Sequence, residues 1–286
     1  MALSNLKHSL KLLRWQARRA IVALRWGPTS LAKMPVVLGN AMPKSGSHLI
    51  IQVLQGLPRL GPFVNPGFPP VNRSESNSKL PDEIILQNIR RMRPGDIGYG
   101  YLPAKEPFLS ILTRQGRATI FVYRDPRDVI VSHVFYATQM HPGHGMHRYY
   151  TEKLTSMEER INAAIQGVQE PGAELSSVRD KYASYLDWLE QSEVLCLRFE
   201  DLILARDTTL RKLLDFLVQR GFKPRVPQEQ AIQVLSQAIM PRKSGTFRKG
   251  KPGNWREHFT PANKTHFKEL TGDLLIRLGY EENNLW

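Results

Sequence analysis

The sequence predicts an α/β fold in which a single doubly wound parallel sheet is flanked by helices. Short apolar runs alternate with longer amphipathic stretches along most of the 286 residues. The run at 118–123, Ala-Thr-Ile-Phe-Val-Tyr, is β-prone throughout, as expected of a strand buried on both faces. Around Lys44, an apolar run, a turn of small residues and a helical pattern follow one another. Strands that alternate with helices indicate a parallel sheet covered on both sides.

The predicted elements follow in the order that this fold requires. A first strand at about 35–38 and a helix at about 47–57 enclose the loop around Lys44. The later elements continue the alternation, with helices at about 82–93, 126–138, 156–168, 176–190 and 208–220, and strands at about 96–102, 118–123 and 194–198. A last helix is expected to begin after the N-cap Thr260 and to stop at Gly279.

Residues 3–26 form a basic leader with helical periodicity. Apolar and basic residues fall on separate stripes, the first being Leu6, Leu10, Leu13, Ala17, Ile21 and Leu24 and the second Lys7, Lys11, Arg14, Arg18 and Arg25. Such a helix can lie in an anionic membrane interface, or it can pack on the domain with its basic face in solvent. A transit peptide is a third interpretation, although serines are few. We divide the chain into this leader, residues 1–33, and a domain at 34–286.

The net charge of +14 is distributed unevenly along the chain. Residues 1–74 contain ten Lys or Arg and no Asp or Glu, whereas the remaining chain is nearly balanced. Charge alone is therefore weak support for nucleic-acid binding, and none is expected. The single cysteine, Cys196, excludes an intramolecular disulfide and fits a reducing compartment. We expect a cytoplasmic protein, peripheral at the inner membrane face if the leader binds lipid.

The segment after the first strand has the features of a phosphate-binding loop. Lys44, Ser45, Gly46 and Ser47 stand between the strand and the helix. Backbone N–H groups at a helix start bind anions, because the positive end of the helix dipole lies behind them. The segment is not a Walker A motif, which requires Gly-Lys-Ser/Thr, since the lysine here follows Pro43. We therefore expect a phosphate other than the β/γ pair of ATP.

Two further basic elements are expected at the edge of the sheet where ligands bind. Arg124 directly follows the 118–123 strand, and Ser132 lies in the next helix, so a guanidinium and a hydroxyl can grip a phosphate. A third element comprises Arg242, Lys243, Arg248, Lys249 and Gly250. Each has a plain alternative, such as an ion pair of Arg124 with Asp125 or Asp128. Together the three elements predict a ligand with two phosphate centres.

These motifs resemble those of the sulfotransferases that use 3′-phosphoadenosine 5′-phosphosulfate (PAPS). Three runs carry the resemblance: 43–49 (Pro-Lys-Ser-Gly-Ser-His-Leu), 123–132 (Tyr-Arg-Asp-Pro-Arg-Asp-Val-Ile-Val-Ser) and 247–260 (Phe-Arg-Lys-Gly-Lys-Pro-Gly-Asn-Trp-Arg-Glu-His-Phe-Thr). They are similar to the family's 5′-phosphosulfate loop, 3′-phosphate motif and C-terminal motif, in that order. The resemblance extends from about residue 34 to the end, so that only the leader lies outside it.

The resemblance implies a P-loop-like sulfotransferase domain and a role for each matching residue. Lys44 would contact the bridging or sulfuryl oxygens and help the phosphate to leave. The 5′-phosphate would be cradled by Ser45, Gly46, Ser47 and His48. The 3′-phosphate would be held by Arg124 and Ser132, joined by Arg248, Lys249 and Gly250. The implied reaction is in-line transfer of a sulfuryl group to an acceptor hydroxyl, by positioning and electrostatic stabilisation and without a metal.

The chain departs from the family pattern at the catalytic base. The family usually carries a histidine in a Gly-His-Leu or Thr-His-Leu context, where this chain reads Gly-Tyr-Leu around Tyr101. Tyrosine, with a reference pKa of about 10, is a poor base at neutral pH. Tyr101 is therefore expected to be an activated base, a hydrogen-bond relay or a sign of weakened chemistry. His48 and His133 are the histidines nearest the predicted site that could substitute for it.

The leading hypothesis is a sulfotransferase with PAPS as donor, PAP as product and a carbohydrate, lipid or other small-molecule hydroxyl as acceptor. The alternative is a PAP- or PAPS-binding protein whose catalysis is weak or lost because of Tyr101. A P-loop kinase is disfavoured by the absent Gly-Lys-Ser/Thr. Acceptor specificity is assigned to the loops at 58–74 and 136–150. No metal site is predicted, because His141, His144 and His147 lie among Pro and Gly without supporting acids.

Overall fold

The computed structural model describes residues 2–65, 70–74, 77–240 and 250–286, with side chains from residue 10 onward. The chain divides into two compact units. Unit 1 comprises Met1–Val122 and Trp188–Pro241, and unit 2 comprises Tyr123–Asp187 and Arg242–Trp286. The predicted boundary between a leader at 1–33 and a domain at 34–286 is a different kind of division and stays a prediction.

Strands and helices alternate along the chain, as the sequence predicts. The strands are β1 Val36–Ala41, β2 Ile97–Gly100, β3 Arg117–Tyr123, β4 Val168–Glu170, β5 Ala173–Leu175 and β6 Val194–Arg198. The helices are α1 Ala2–Trp26, α2 Pro28–Ala32, α3 Ser47–Gly56, α4 Asp82–Arg91, α5 Phe108–Leu112, α6 Pro126–Phe135, α7 Met157–Gln166, α8 Val178–Leu186, α9 Phe199–Leu204, α10 Arg206–Gln219, α11 Gln228–Ala238, α12 Pro261–Thr271 and α13 Leu274–Arg277.

A four-stranded sheet with the strand order β2-β1-β3-β6 is the framework of the fold. Strand β1 pairs in parallel with both β2 and β3, so that Asn40 lies opposite Gly100 on one side and Phe121 on the other. Every residue of β1 is buried, which agrees with its mostly apolar sequence. This arrangement confirms the predicted α/β fold with a parallel sheet flanked by helices.

The hydrophobic core of unit 1 joins this sheet to its helices. Fully buried side chains come from β1, α3, β3, α10 and α11, among them Val37, Val53, Ile120, Leu213 and Leu235. The central strands therefore cannot shift without opening the core, and the carboxyl ends of β1 and β2 are held at fixed positions. The loops that leave these two strand ends carry Lys44 and Tyr101.

Unit 2 packs α6, α7, α8 and α12 together. Its buried side chains include Ile161 of α7, Tyr182 of α8 and Phe267 of α12. Asn263 also joins α12 to α7, since its amide donates to the Glu158 carbonyl and the Asn162 side chain at 3.1 and 2.7 Å. Unit 2 thus has buried side chains of its own, most of them contributed by helices.

Some of the predicted element ends are wrong. The last helix does not reach Gly279, because α12 ends at Thr271 and Gly272 turns the backbone to φ 59° before the short α13 begins. Its predicted N-cap is confirmed, since the Thr260 hydroxyl accepts the Asn263 amide. Helix α6 ends at Phe135, short of Thr138, and a π-helical turn follows. The antiparallel pair β4–β5 and helix α11 were not predicted.

Helix α1 packs against the rest of unit 1 through aromatic and basic side chains. Trp15 Nε1 and Arg19 Nη1 both donate to Oδ1 of the buried Asp96, at 3.0 and 2.7 Å. Arg18 Nη1 donates to the Asn65 carbonyl at 2.9 Å. The leader is therefore docked on the protein along one face. Within the described residues, no helix combines the length and apolarity that a membrane crossing requires.

Candidate functional site

The loop between β1 and α3 reverses the chain by means of two left-handed residues. Lys44 has φ 70° and Gly46 has φ 90°. A β-carbon at position 46 would lie 2.4 Å from the Phe199 ring, so a glycine is required there for space as well as for conformation. The turn brings the chain directly into α3, whose first N–H groups have no acceptor within the helix. This is the geometry of an anion-binding helix start.

Ser45 provides the most specific sign of a ligand in this loop. The residue is fully buried, and its Oγ has no hydrogen-bond partner among the described residues. A buried hydroxyl left unpaired costs about 1–3 kcal/mol, so such groups are normally satisfied by protein, water or a ligand. A phosphate oxygen at the start of α3 would satisfy it. The predicted cofactor-binding role of Ser45 therefore fits its environment.

His48, the second residue of α3, has an environment that disfavours its charged form. Burial lowers the pKa of His48 below its ordinary value, and the positive charge of Lys44 lowers it further. A neutral imidazole offers one N–H donor and one acceptor nitrogen. Near this loop, Lys44 and the helix dipole thus provide positive potential, while His48 contributes hydrogen bonding.

The structure brings Tyr101 to the same loop. Its phenolic hydroxyl donates to Ser47 Oγ at 3.0 Å, across 54 residues of sequence. This contact follows from the sheet, because Gly100, the residue before Tyr101, pairs with Asn40 at the end of β1. Both residues were predicted from the sequence to lie at the site. The hydrogen bond between them is a direct contact between the segment after β2 and the start of α3.

Two asparagines outside the predicted motifs hold the backbone of Tyr101 and Leu102 in place. The Asn72 side chain donates to the Tyr101 carbonyl at 2.8 Å and accepts its N–H at 3.2 Å. Asn40 forms the same two-way bridge with Leu102, at 2.9 and 2.8 Å. The Arg73 guanidinium lies 6.0 Å from the centre of the Tyr101 ring. Asn40 could have been noticed as the one polar side chain in a buried apolar strand.

In unit 2, Arg124 and Asp128 form a buried pair at the start of α6. Arg124 Nη2 lies 3.4 Å from Asp128 Oδ2, and the Arg124 carbonyl accepts the Tyr182 hydroxyl at 2.8 Å. Asp128 also accepts the backbone N–H groups of Gly253 and Trp255, at 2.8 and 2.9 Å. Of the two ion-pair partners considered for Arg124, the structure selects Asp128. The C-terminal motif is thereby tied to the motif around Arg124.

Asp125, the other candidate partner, belongs to a separate cluster around Arg127. The buried Arg127 guanidinium donates to both oxygens of Asp125 and to Glu281. It also stacks on the rings of Trp255 and Trp286, with the guanidinium carbon 3.9 and 4.5 Å from the ring centres. These contacts give Arg127 a structural role in unit 2.

The other predicted site residues lie either in unit 2 or outside the described residues. Ser132 lies on α6 and is partly exposed, and Gly250 has φ 60° in unit 2. Arg248 and Lys249 lie outside the described residues, as do residues 66–69 of the predicted acceptor loop. The structure thus groups Lys44, Ser45, Gly46, Ser47, His48 and Tyr101 in unit 1, and Arg124, Ser132 and Gly250 in unit 2. That the two groups form one site stays a prediction.

The histidines of the second predicted acceptor loop make aromatic contacts. The His144 ring lies 5.2 Å from that of His133 and 5.7 Å from that of Tyr136, and His147 Nδ1 is 2.8 Å from the Ala137 carbonyl. Within the part of the chain that the structure describes, no three His, Cys, Asp or Glu side chains are grouped as metal ligands. His133 is buried in this cluster, which makes it a packing residue of unit 2.

Comparisons with known proteins agree with this architecture. Among solved structures, mouse sulfotransferase SULT7A1 complexed with PAP matches with a TM-score of 0.59 at 17% identity, over 90% of both chains. Retinol dehydratase in complex with androsterone and PAP matches with a TM-score of 0.54 at 16% identity, over 86% of this chain and 83% of that chain. At such identities these matches establish the fold.

Curated relatives match over a shorter length. The 3-alpha-hydroxysteroid sulfotransferase of Cavia porcellus is 28% identical over 166 residues, which is 53% of each chain. Human sulfotransferase 2A1 is 25% identical over 177 residues, or 57% of this chain and 58% of that one. The chain thus spans about half the length of the curated relatives that it matches.

The family model for the sulfotransferase domain matches residues 109–279, more than half of the chain. This range contains Arg124, Ser132 and Gly250, together with the Asp128 contacts to the C-terminal motif. It begins after the Lys44 loop and Tyr101, which are therefore supported by the geometry around β1 and β2. The match confirms the resemblance seen in the sequence: the chain belongs to the sulfotransferase domain family.

Proposed function

We propose that the protein transfers a sulfuryl group from PAPS to the hydroxyl of a small-molecule acceptor. The observation that carries this proposal is the buried, unpartnered Ser45 hydroxyl at the start of α3 in a chain of the sulfotransferase family. Relatives named as steroid sulfotransferases and similar structures with bound PAP support the donor and the class of acceptor. Carbohydrate and lipid hydroxyls belong to the proposed acceptor class as well.

The residues present fit a donor with two phosphate centres. Lys44, Ser45, Gly46, Ser47 and His48 would hold the 5′ end, because this loop combines an orphan hydroxyl, a cation and a helix start. Arg124 and Ser132, with Gly250, Arg248 and Lys249, would hold the 3′-phosphate. When bound, the donor supplies the activated sulfuryl group, and the protein supplies position and electrostatic stabilisation.

Tyr101 acts in this proposal by orienting the acceptor. Its O–H donates a hydrogen bond to Ser47 Oγ. The lone pairs of the phenol oxygen therefore remain available to accept a hydrogen bond from the hydroxyl of the substrate that receives the sulfuryl group. The acceptor oxygen is then directed toward the loop at which Lys44 concentrates positive charge. Among the three roles considered for Tyr101, this contact supports the hydrogen-bond relay.

A charge-removing substitution with a matched control tests the proposal. PAP binding is measured by calorimetry, and radiolabelled sulfate transfer from PAPS is measured with steroid, sugar and lipid alcohols. We expect the wild-type protein and the exposed-surface control Lys212→Met to bind and transfer, whereas Lys44→Met loses at least about tenfold in transfer. Absence of PAP binding, or displacement of PAP by ATP, would contradict the proposal. Tight PAP binding without transfer to any acceptor would favour the binding-protein alternative.

We also propose that the protein works on the cytoplasmic side of a membrane, with peripheral contact through residues 3–26. The single cysteine supports a reducing compartment, and burial raises the pKa of the Cys196 thiol to about 12, so it is kept as an unreactive thiol. The basic, acid-free leader supports contact with an anionic surface.

A further inference from the structure

Helix α1 is docked by the face that its sequence pattern would leave in solvent. Trp15, Arg18 and Arg19 donate hydrogen bonds to the rest of unit 1, whereas the apolar stripe points away from it. Exposed fractions reach 61% for Leu13, 63% for Ile21 and 88% for Leu24. An amphipathic helix that packs on a domain normally buries its apolar stripe. Here the stripe has no cover within the described residues.

The helix geometry makes the stripe continuous. At about 100° per residue, Leu10, Leu13, Ala17, Ile21 and Leu24 fall within an arc of about 80°, opposite Trp15. The leucines and the isoleucine recur over fifteen positions of one helix, so they form a surface and not isolated exposed residues. The docked residues hold this surface in a fixed orientation on unit 1.

Cations border the stripe along one side. Arg14 and Arg25 are exposed and lie four residues after Leu10 and Ile21, respectively, and so border the stripe; Arg18 lies further toward the docked face. Residues 1–74 contain no acid that could neutralise them. An apolar stripe flanked by arginines matches the profile of a bilayer interface, where acyl chains lie beneath anionic headgroups.

We propose that this face of α1 lies in the interface of an anionic lipid bilayer and seats unit 1 on the membrane. The alternative occupant is a second copy joined through the same stripe. An antiparallel two-fold pairing is disfavoured because it would place the arginines of both copies along one seam, and a parallel pairing would leave the arginines without an anionic partner. A bilayer of anionic lipid satisfies both the leucines and the arginines. The helix lies in the surface and does not span it. The inference rests on the membrane contact proposed above, for which it names the face of α1 and the class of lipid, and it does not depend on sulfuryl transfer.

Binding to vesicles tests the inference with the full-length chain. Co-sedimentation is measured with vesicles of phosphatidylcholine alone and of phosphatidylcholine mixed with phosphatidylglycerol. We expect binding to the mixed vesicles and little to the neutral ones. The triple variant Leu13→Gln, Ile21→Gln, Leu24→Gln is expected to weaken binding by about tenfold or more, since three apolar side chains no longer enter the interface.

Matched control variants test whether the loss of vesicle binding is specific to this face of α1 or follows from removing any exposed leucine or charge. Leu204→Gln with Leu285→Gln removes two equally exposed leucines elsewhere and is expected to bind like the wild type. Arg14→Gln with Arg25→Gln is expected to weaken binding by about tenfold, whereas Lys212→Gln with Arg91→Gln removes two exposed charges elsewhere and is expected to change it little. Far-ultraviolet circular dichroism checks that each variant keeps its helices.

Three results would overturn the inference. One is equal binding of wild type and triple variant to the mixed vesicles, and another is equal binding to neutral and anionic vesicles or to neither. The third is a dimer of the wild type in light scattering without vesicles that the triple variant converts to a monomer, since a second copy would then cover the stripe. No donor or acceptor is present, so the outcome is independent of whether the proposed sulfuryl transfer is correct.

Discussion

Tyr101 is the residue on which the proposed chemistry depends most directly. It occupies the position where the family usually has a histidine, and its hydroxyl reaches the first residue of α3. The two asparagine bridges fix its backbone and that of Leu102, so the phenol oxygen is held with little freedom. A residue held this way is suited to orient a substrate hydroxyl.

Replacing Tyr101 with phenylalanine keeps the ring and removes only the hydroxyl. We expect kcat for sulfate transfer to fall by about 10²-fold or more, while PAP affinity changes less than about threefold, because the ring packing and the phosphate loop remain. Steady-state kinetics with calorimetry measures both. An unchanged kcat would show that Tyr101 does not take part in the reaction. The variant Tyr99→Phe, on the preceding strand, is the control for loss of a nearby phenol.

Lys181 in unit 2 is a half-buried residue with no role in the proposed reaction. It lines a small cavity of about 20 Å³ together with Val129, Ile130, Val178 and other side chains of α6, α7 and α8. Burial lowers the pKa of Lys181 to about 8. The charged amine therefore weakens the folded state wherever it stays protonated.

Lysine-to-methionine replacement at 181 should reveal this cost. In the unfolded chain the amine titrates near its ordinary pKa, so between about pH 8 and 10.5 the unfolded state binds more protons and wild-type stability rises with pH. We expect Lys181→Met to gain roughly 1–2 kcal/mol at pH 7, after allowance for partial exposure, and to lose most of that advantage by about pH 10. Urea unfolding at both pH values measures it. A gain that is the same at pH 7 and 10 would argue against a charge effect, and Lys212→Met is the exposed control.

At the scale of elements, the joint between β1 and α3 depends on Gly46. Both its φ of 90° and its closeness to the Phe199 ring exclude a side chain. The joint sets the direction in which α3 presents its N-terminus, so any shift there also moves the predicted 5′-phosphate cradle.

Gly46→Ala is expected to lower the free energy of unfolding by about 2–4 kcal/mol, because strain and a close contact act together. Gly116→Ala separates the two causes, since Gly116 has φ 80° and open space around its α-carbon. We expect that control to cost only about 1 kcal/mol. Urea denaturation curves compare the variants, and equal costs at the two positions would mean that the Phe199 contact is unimportant.

At the scale of the whole molecule, local patterns predicted the framework well. The strand at 118–123 and the helix after Lys44 are long, regular signals, and both were found within one residue of their predicted ends. The end of α12 was missed because Gly272 breaks a helix whose apolar pattern resumes in α13. The pair β4–β5 was missed because each strand has only three residues, too few for a period to be seen.

The sequence predicted which residues belong to the candidate site, but it did not predict the contacts between them. Lys44, Ser45 and Arg124 stand in recognisable runs, so their positions could be found from the sequence. The bond from Tyr101 to Ser47 and the support from Asn72 join residues far apart in sequence, and pairing of this kind depends on strand register and loop closure. The choice of Asp128 over Asp125 as the partner of Arg124 depends on side-chain direction at the helix start, which spacing alone does not determine.

The bonds from Trp15 and Arg19 to Asp96 bear on how shortened forms of this protein would behave. Deleting residues 1–26 removes two donors from Oδ1 of a carboxylate that is almost inaccessible to solvent. The deletion removes these two hydrogen bonds and uncovers the surface that α1 covers, so we expect the shortened protein to be less stable than the full chain. Aggregation of a truncated protein would therefore reflect the loss of these stabilising contacts, whether or not the leader binds a membrane. Point substitutions on the exposed face of α1 keep the contacts with Asp96, so they separate the role of α1 in stability from its role in membrane binding.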